Sequence, residues 1–305
     1  MSEPPTSADP GAMRALVIGA SGQVGAALVR HLRARGAAVA GTHGRVPGPD
    51  TRPLDLRDAG AAARLVAEVA PDRVFCAGGL TAVDYCESHE DEALAVNRDG
   101  PAAAADAAAR AGASFVYFST DYVFDGAAGP YAEDAAVNPI SAYGRSKAEG
   151  ERAVREAHPR ALIVRTTVVY GPDPQGKNTV YQQVARGRRG EAMRAPGDQR
   201  TTPTYNEDLA AATVEAAERR LEGVLNVAGP EVMDRHAFAL LVCEAFGLDP
   251  ARLACVTTAA LGLPASRPLE GGLRIDRARA LLRTPLRGPK EGLLAMRAAI
   301  EGGAG

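Results

Sequence analysis

Short apolar runs alternate with alanine-rich stretches through the first half of the chain. Ala15-Leu16-Val17-Ile18 is brief, rich in branched side chains and free of polar residues, as a strand covered on both faces requires. A helical stretch follows from about 23 to 35 and ends near Gly36. The pattern then predicts a strand at 38–42, a helix at 58–69, a strand at 73–76 and a helical span from about 89 to 111, interrupted at Gly100-Pro101. A strand at 114–119, a helix at 141–157 and a strand at 161–165 continue the rhythm. Strands alternating with helices in this way predict an α/β fold, a doubly wound parallel sheet with helices on both faces. Beyond residue 166 the rhythm loosens, with Gly and Pro gathering at 171–176 and 262–272. A helix near 206–219 and a strand at 224–227 read as a return to the sheet, and the rest, about 229–303, reads as mostly helical. The expected division is a tail at 1–13, a nucleotide-binding domain at 14–165 rejoined by 206–228, and a smaller substrate lobe built from 166–205 and 229–305. That lobe would close over the carboxyl ends of the strands, where open α/β sheets bind ligands.

Composition narrows the classes. A length of 305 residues, 46% hydrophobic and 24% charged, is that of an ordinary globular chain. A net charge of -2 and the absence of tryptophan give no electrostatic or stacking case for nucleic acid. No apolar run approaches the roughly 20 residues of a membrane helix. The first residues, MSEPPTSADPGAM, lack the basic and apolar regions of a signal peptide and read as disordered. The four cysteines are scattered and the five histidines lack ligand spacing, so no metal site is expected. A reducing cytoplasm is the expected compartment.

The candidate chemistry lies at strand ends. The first strand runs into Gly19-Ala20-Ser21-Gly22-Gln23-Val24-Gly25, whose glycines and following helix N-terminus suit a pyrophosphate. An ordinary tight turn competes with that reading, but the placement after the first strand favours a dinucleotide. The second strand ends in Thr42-His43-Gly44-Arg45, without the acid that holds a free ribose 2′-hydroxyl. Arg45 and Thr42 instead suit a 2′-phosphate, which favours NADPH over NADH; a solvated loop arginine is the competing reading. Asp55, with Leu56, is placed to meet adenine, although a turn or capping role fits Asp55 nearly as well. Cys76-Ala77-Gly78-Gly79, a run of small residues, follows the third long strand.

The strand at 114–119 leads into Ser119-Thr120-Asp121, so the Thr120 hydroxyl faces the ligand crevice. Tyr143 and Lys147 follow on the next helix, four apart and therefore on one face. Among 35 basic residues only Lys147, Lys177 and Lys290 are lysine. A compact ammonium beside a phenol is one reason to keep lysine where arginine is otherwise preferred. Bringing a phenol from pKa about 10 to neutrality takes roughly 4 kcal/mol. Chance spacing is the competing account of the pair, and its position after Thr120 weakens that account.

These motifs resemble those of the extended short-chain dehydrogenase/reductases, and within them the dTDP-4-dehydrorhamnose reductase family. The resemblance covers about 14–285 and rests on the glycine turn, Thr81-Ala82-Val83-Asp84 with Glu87, Val96-Asn97 with Gly100, and STDYVFDG. Tyr143-Gly144-Arg145-Ser146-Lys147, Arg165-Thr166, Gly176-Lys177-Asn178 and Arg267-Pro268 extend it. It implies a Rossmann fold and NADPH-dependent reduction of a nucleotide-linked 4-keto-6-deoxy sugar. Thr120, Tyr143 and Lys147 would be catalytic, Ala77 and Gly78 would border the cofactor, and Asn97 would support the network beside Lys147 and the cofactor. Thr81, Val83, Asp121, Val168, Lys177 and Arg200 would meet the substrate, for Lys177 and Arg200 through its diphosphate. A homodimer is compatible with this reading. Thr167-Val168 stands where the family usually has Ser-Trp, and Cys76-Ala77-Gly78 where it has Asn-Ala-Ala, so the sugar itself is not specified. Similar motifs also occur in the regulatory β subunit of methionine adenosyltransferase. The two other readings are thus a cofactor-binding regulatory subunit, and an epimerase or dehydratase that recycles NAD.

Overall fold

The structure, a computed structural model, describes residues 12–302. Residues 1–11, most of the expected tail, and 303–305 lie outside the described residues. Met13, expected in that tail, belongs to the fold. Its carbonyl accepts from the Ala38 amide at 2.9 Å and its side chain packs against the core.

The chain forms β1 (Arg14–Ile18), α1 (Gln23–Ala34), β2 (Ala38–His43), β3 (Thr51–Pro53), α2 (Ala59–Val69) and β4 (Arg73–Cys76). Then come α3 (Val83–Cys86), α4 (Glu90–Leu94), α5 (Gly100–Arg110), β5 (Ser114–Thr120), α6 (Ala142–Ala157) and β6 (Leu162–Thr166). The chain next leaves the sheet for β7 (Val169–Tyr170), α7 (Thr179–Arg188), β8 (Met193–Pro196), β9 (Arg200–Thr201) and β10 (Thr204–Tyr205). It returns through α8 (Asn206–Glu218) and β11 (Gly223–Asn226), and ends with β12 (Met233–Asp234), α9 (Arg235–Phe246), β13 (Leu253–Val256), α10 (Asp276–Leu281) and α11 (Pro289–Gly302). Seven parallel strands form the main sheet in the order β11-β6-β5-β4-β1-β2-β3. The order reverses at β1, which opens a crevice beyond the ends of β1 and β4.

The apolar runs are explained by cover on both faces. In β1, Ala15 and Val17 join one buried layer with Leu28, Phe75 and Leu209. Leu16 and Ile18 join the other with Val66, Val74 and Phe115. The central strands β1, β4, β5 and β6 thus lose water on both sides, and no polar alternation survives in them.

Two expectations are corrected. The helical span of 89–111 is not broken at Gly100-Pro101: α4, a π-helical turn at 95–99 and α5 follow one another without an intervening loop. Pro101 cannot donate to Asn97 O four residues back, and the Tyr117 hydroxyl donates to that carbonyl instead, at 2.6 Å. A Cβ on Gly100 would stand 2.3 Å from Leu56 O, so the glycine serves close packing and not a break. The region 229–303 is less helical than expected, with α9, α10 and α11 separated by β13 and irregular chain. The Gly- and Pro-rich segment there packs as a loop: a Cβ on Gly126 would lie 2.4 Å from Pro268 Cα. Among the described residues no helix is long and apolar enough to cross a membrane.

Candidate active site

The turn after β1 is shaped by close approaches. Gly19 adopts φ +84°, and a Cβ there would lie 2.6 Å from Gly78 Cα. A Cβ on Gly25 would lie 2.1 Å from Gly19 O. Gly22 is different: its Cβ would meet only Gly19 O, at an ordinary 3.5 Å. The protein itself therefore excludes side chains at Gly19 and Gly25 and leaves the space at Gly22 unfilled. The amides of Gln23, Val24 and Gly25 open α1 without partners inside the helix, and no acidic residue stands in its first turn. This cradle fits a pyrophosphate.

The neighbouring side chains are more committed to protein than the sequence suggested. Gln23 Nε2 donates to Val169 O at 3.3 Å, and Gln23 Oε1 accepts from Asn178 at 3.1 Å. Ser21 is buried and its carbonyl accepts from Gln175. Val24 packs against the core. The side chains of Gln23 and Val24 are thus engaged with protein, while the Ser21 hydroxyl makes no bond of its own among the described residues. Thr42 is a correction: its hydroxyl is buried and accepts from Gly19 N at 3.1 Å, so it braces the glycine turn and does not reach a 2′-phosphate. Leu56 is buried beneath Gly78. Ala77 and Gly78 lie against the glycine turn, with Ala77 N donating to Ile18 O. Arg45 and Asp55 lie at the rim, where Arg57 forks onto Asp55 and the Arg45 guanidinium approaches Glu92. The cap of α2 is Asp58, not Asp55.

β5 delivers Thr120 to the same crevice, and α6 delivers Tyr143 and Lys147, all three buried. Ser141 caps α6 through Gly144 N, and Glu87 accepts from Ala142 N at 2.8 Å. These bonds fix the start of the helix, with Tyr143 in its first turn. Burial pushes the Tyr143 phenol well above its usual value; a hydrogen bond with Thr120 opposes that, and Asp121 adds to it. Burial also brings the Lys147 ammonium down to about 8. Lys147 donates to Phe118 O at 2.6 Å and lies 4.0 Å from the centre of the Tyr117 ring. Direct contact of Lys147 with the Tyr143 phenol, expected from the helical spacing, is replaced by these two.

Asn97 is fully buried and holds the backbone of Leu80 through two bonds and Ser146 through a third. It ties the loop after β4 to α6, so it positions the site and spends its side chain on protein. Asp121 is likewise internal. Burial raises its carboxyl, while Thr167 donates to it at 2.8 Å and Thr120 at 3.3 Å. It fixes the Thr120 hydroxyl and is itself buried.

Two adjoining cavities lead from the crevice into the second half of the chain. One, of about 360 Å³, lies among Gly22, Thr81, Val168, Lys177 and Arg235. The other, of about 380 Å³, lies among Val83, Tyr122, Gln199, Arg235 and Arg267. Val168 has φ +38°, an outlier for a β-branched residue of the kind that gathers at functional sites. Lys177 Nζ rests on Gln175 Oε1 at 2.7 Å. Arg200 is not on either wall; it turns to Glu270 at 3.6 Å. The arginine shared by both cavities is Arg235 at the start of α9, which sequence reasoning missed. One arginine at a helix start carries no distinguishing signal in a chain so rich in arginine. Tyr122 was missed as well; its ring meets Tyr143 edge-on at 5.6 Å. Arg267 binds Asp84 at 2.8 Å, which joins the Thr81–Asp84 and Arg267-Pro268 motifs. A larger depression, about 440 Å³, lies at the amino ends of the strands beside Met13 and His158, away from this chemistry.

Comparison with known proteins agrees with this arrangement. Residues 13–301 match the family model for the RmlD substrate binding domain. The chain belongs to the RmlD family. It is 36% identical over 276 residues to a dTDP-4-dehydrorhamnose reductase of Sinorhizobium fredii, covering 87% of this chain and 90% of that one. It is 35% identical over 271 residues to a probable low-salt glycan biosynthesis reductase of Haloferax volcanii, covering 87% and 90%. A Bacillus anthracis dTDP-4-dehydrorhamnose reductase, solved in complex with NADP, superposes with TM-score 0.86 at 28% identity, covering 94% of this chain and 99% of that one.

Proposed function

We propose that this RmlD-family protein is an NADPH-dependent reductase of a nucleotide-linked 4-keto-6-deoxy sugar. The observation that carries the proposal is the meeting of Thr120, Tyr143 and Lys147 at the crevice beside the glycine turn. Relatives named as dTDP-4-dehydrorhamnose reductases, one of them in complex with NADP, support the same reading. Residues 19–25 would hold the dinucleotide, whose reduced nicotinamide would supply hydride to a carbonyl carbon. Tyr143 gives its phenolic proton to the carbonyl oxygen as charge develops there. The hydrogen bond of Thr120 to that phenol favours its ionised form once the single threonine proton, which rests on Asp121, turns to the phenolate oxygen. Lys147 adds a buried positive charge that favours the phenolate and can donate to a ribose hydroxyl. Arg235, with Lys177, is placed for the substrate diphosphate. The 14–165 and 206–228 segments hold the dinucleotide, the remaining segments hold the sugar nucleotide, and the reaction takes place in the cytoplasm.

The test is NADPH oxidation with dTDP-4-keto-6-deoxy sugars as substrates. Tyr143→Phe is expected to lower kcat by about 10² to 10⁴ while NADPH still binds. Near wild-type turnover in that variant would sink the mechanism. Tightly retained NAD in the purified protein would point to an epimerase or dehydratase instead.

A further inference from the structure

The rim beyond β2 holds an arrangement that the reaction does not require. Arg45, in the loop after β2, and Arg57, in the loop after β3, both reach Glu92 on α4, at 3.5 and 3.6 Å. Glu92 is not a loose surface acid. Its side chain is only 20% exposed, against 81% for Arg45, and its second oxygen accepts from the Tyr85 hydroxyl at 2.8 Å. The Tyr85 ring is in turn stacked on His89, with centroids 3.7 Å apart. Arg57 is also held by Asp55. A carboxylate is therefore fixed in place between two guanidinium groups at the end of the second strand. In dinucleotide-binding sheets that end faces the adenosine ribose, as a 2′-hydroxyl or a 2′-phosphate.

We propose that Glu92 sets the discrimination between NADPH and NADH by competing with the 2′-phosphate for Arg45 and Arg57. The proposal rests on the NADPH reading above. Two effects of Glu92 oppose each other. It holds the arginines near the ligand, which helps the phosphate; it also places a negative charge beside the phosphate, which repels it. The holding effect is small, because long-range pairs of exposed arginine contribute little. Repulsion acts against a group carrying nearly two charges, and it acts only when that group is present. Repulsion therefore wins, and Glu92 keeps NADH competitive.

The experiment measures dissociation constants for NADPH and NADH by titrating the fluorescence of the reduced nicotinamide. In Glu92→Gln, NADPH is expected to bind about fivefold more tightly, with NADH changed less than about twofold, so the preference moves by most of that factor. The gain should shrink as ionic strength rises, since a charge effect at the surface is screened. Tyr85→Phe removes the hydrogen bond but keeps the charge, and should leave the preference near wild type. An unchanged or reversed preference in Glu92→Gln would overturn the proposal. So would a Tyr85→Phe effect as large as that of Glu92→Gln, because placement of the loops would then be the cause. Failure of the underlying reading looks different: wild-type protein would bind neither dinucleotide, or would be purified with NAD tightly retained.

Discussion

Lys147 is buried with an ammonium whose charged form the surroundings resist, and its value falls from 10.5 to about 8. Activity and stability should then respond to pH in opposite directions. Below about 8 the group is charged in both folded and unfolded chains, and the full cost of burying the charge is present. As pH rises from 8 towards 10.5 the folded form loses its proton first, and that cost is relieved. The proposed mechanism uses the charge, so kcat/KM in wild type should fall as pH rises through about 8. Lys147→Met should have low activity without that limb. It should also be more stable than wild type below pH 8, with the difference in Tm narrowing towards pH 10.5. A basic limb that persists in Lys147→Met would assign the titration to another group. Thr120, Tyr143 and Lys147 were legible in the sequence because strand ends and helical spacing are local properties. The contact between Lys147 and Phe118 O was not, because it depends on how far α6 stands from β5. Thr42 misled for the same reason. A threonine at a strand end reads as a ligand donor until the neighbouring turn is seen to fold back on it.

Helix packing gives sharper tests of the glycine turn than deletion of the motif would. Gly25→Ala would force a Cβ to within 2.1 Å of Gly19 O. A clash with backbone shifts α1 against β1, and overpacking of this kind costs about 1–3 kcal/mol. Calorimetry should show a lowered Tm for Gly25→Ala even without nucleotide. Gly22→Ala meets nothing closer than 3.5 Å, so the apo protein should melt near wild type. Its added methyl enters the space assigned to the pyrophosphate, and NADPH affinity should fall at least about tenfold. Equal loss of Tm in both variants would mean that Gly22 serves folding alone. Helix α6, which carries Tyr143 and Lys147, has a second anchor in the buried pair of Glu151 with Arg165 on β6, at 2.7 Å. Arg165→Met strands a buried carboxylate and should cost about 3–5 kcal/mol, with much of that recovered in Glu151→Leu/Arg165→Met. Element order was legible from the apolar runs because both faces of the sheet are covered. The path through Gly100-Pro101 was not, since its repair by Tyr117 comes from a strand more than a dozen residues away.

The two halves of the molecule meet at the mouth of the cofactor cradle. Gln23 bonds Val169 O and Asn178, the carbonyl of Gln23 accepts from Asn206 at 3.1 Å, and Gln175 donates to Ser21 O at 3.0 Å. Asn178 also caps α7 and bonds Gly171 O. The glycine turn and the 171–178 loop are thus one hydrogen-bonded unit, and the same loop borders the cavity that holds Lys177 and Arg235. Ordering the turn on a pyrophosphate should therefore order the loop, through contacts and not through any change in the sheet. Hydrogen exchange reads this directly. NADPH binding is expected to slow exchange at residues 171–178 as well as at 19–25. Gln23→Ala removes two of the connecting bonds without touching the backbone amides that face the phosphate. In that variant the protection at 19–25 should persist, the protection at 171–178 should drop, and KM for the sugar nucleotide should rise more than Kd for NADPH. Equal protection of both segments in Gln23→Ala would mean that the cofactor itself spans them, and that Gln23 does not carry the connection.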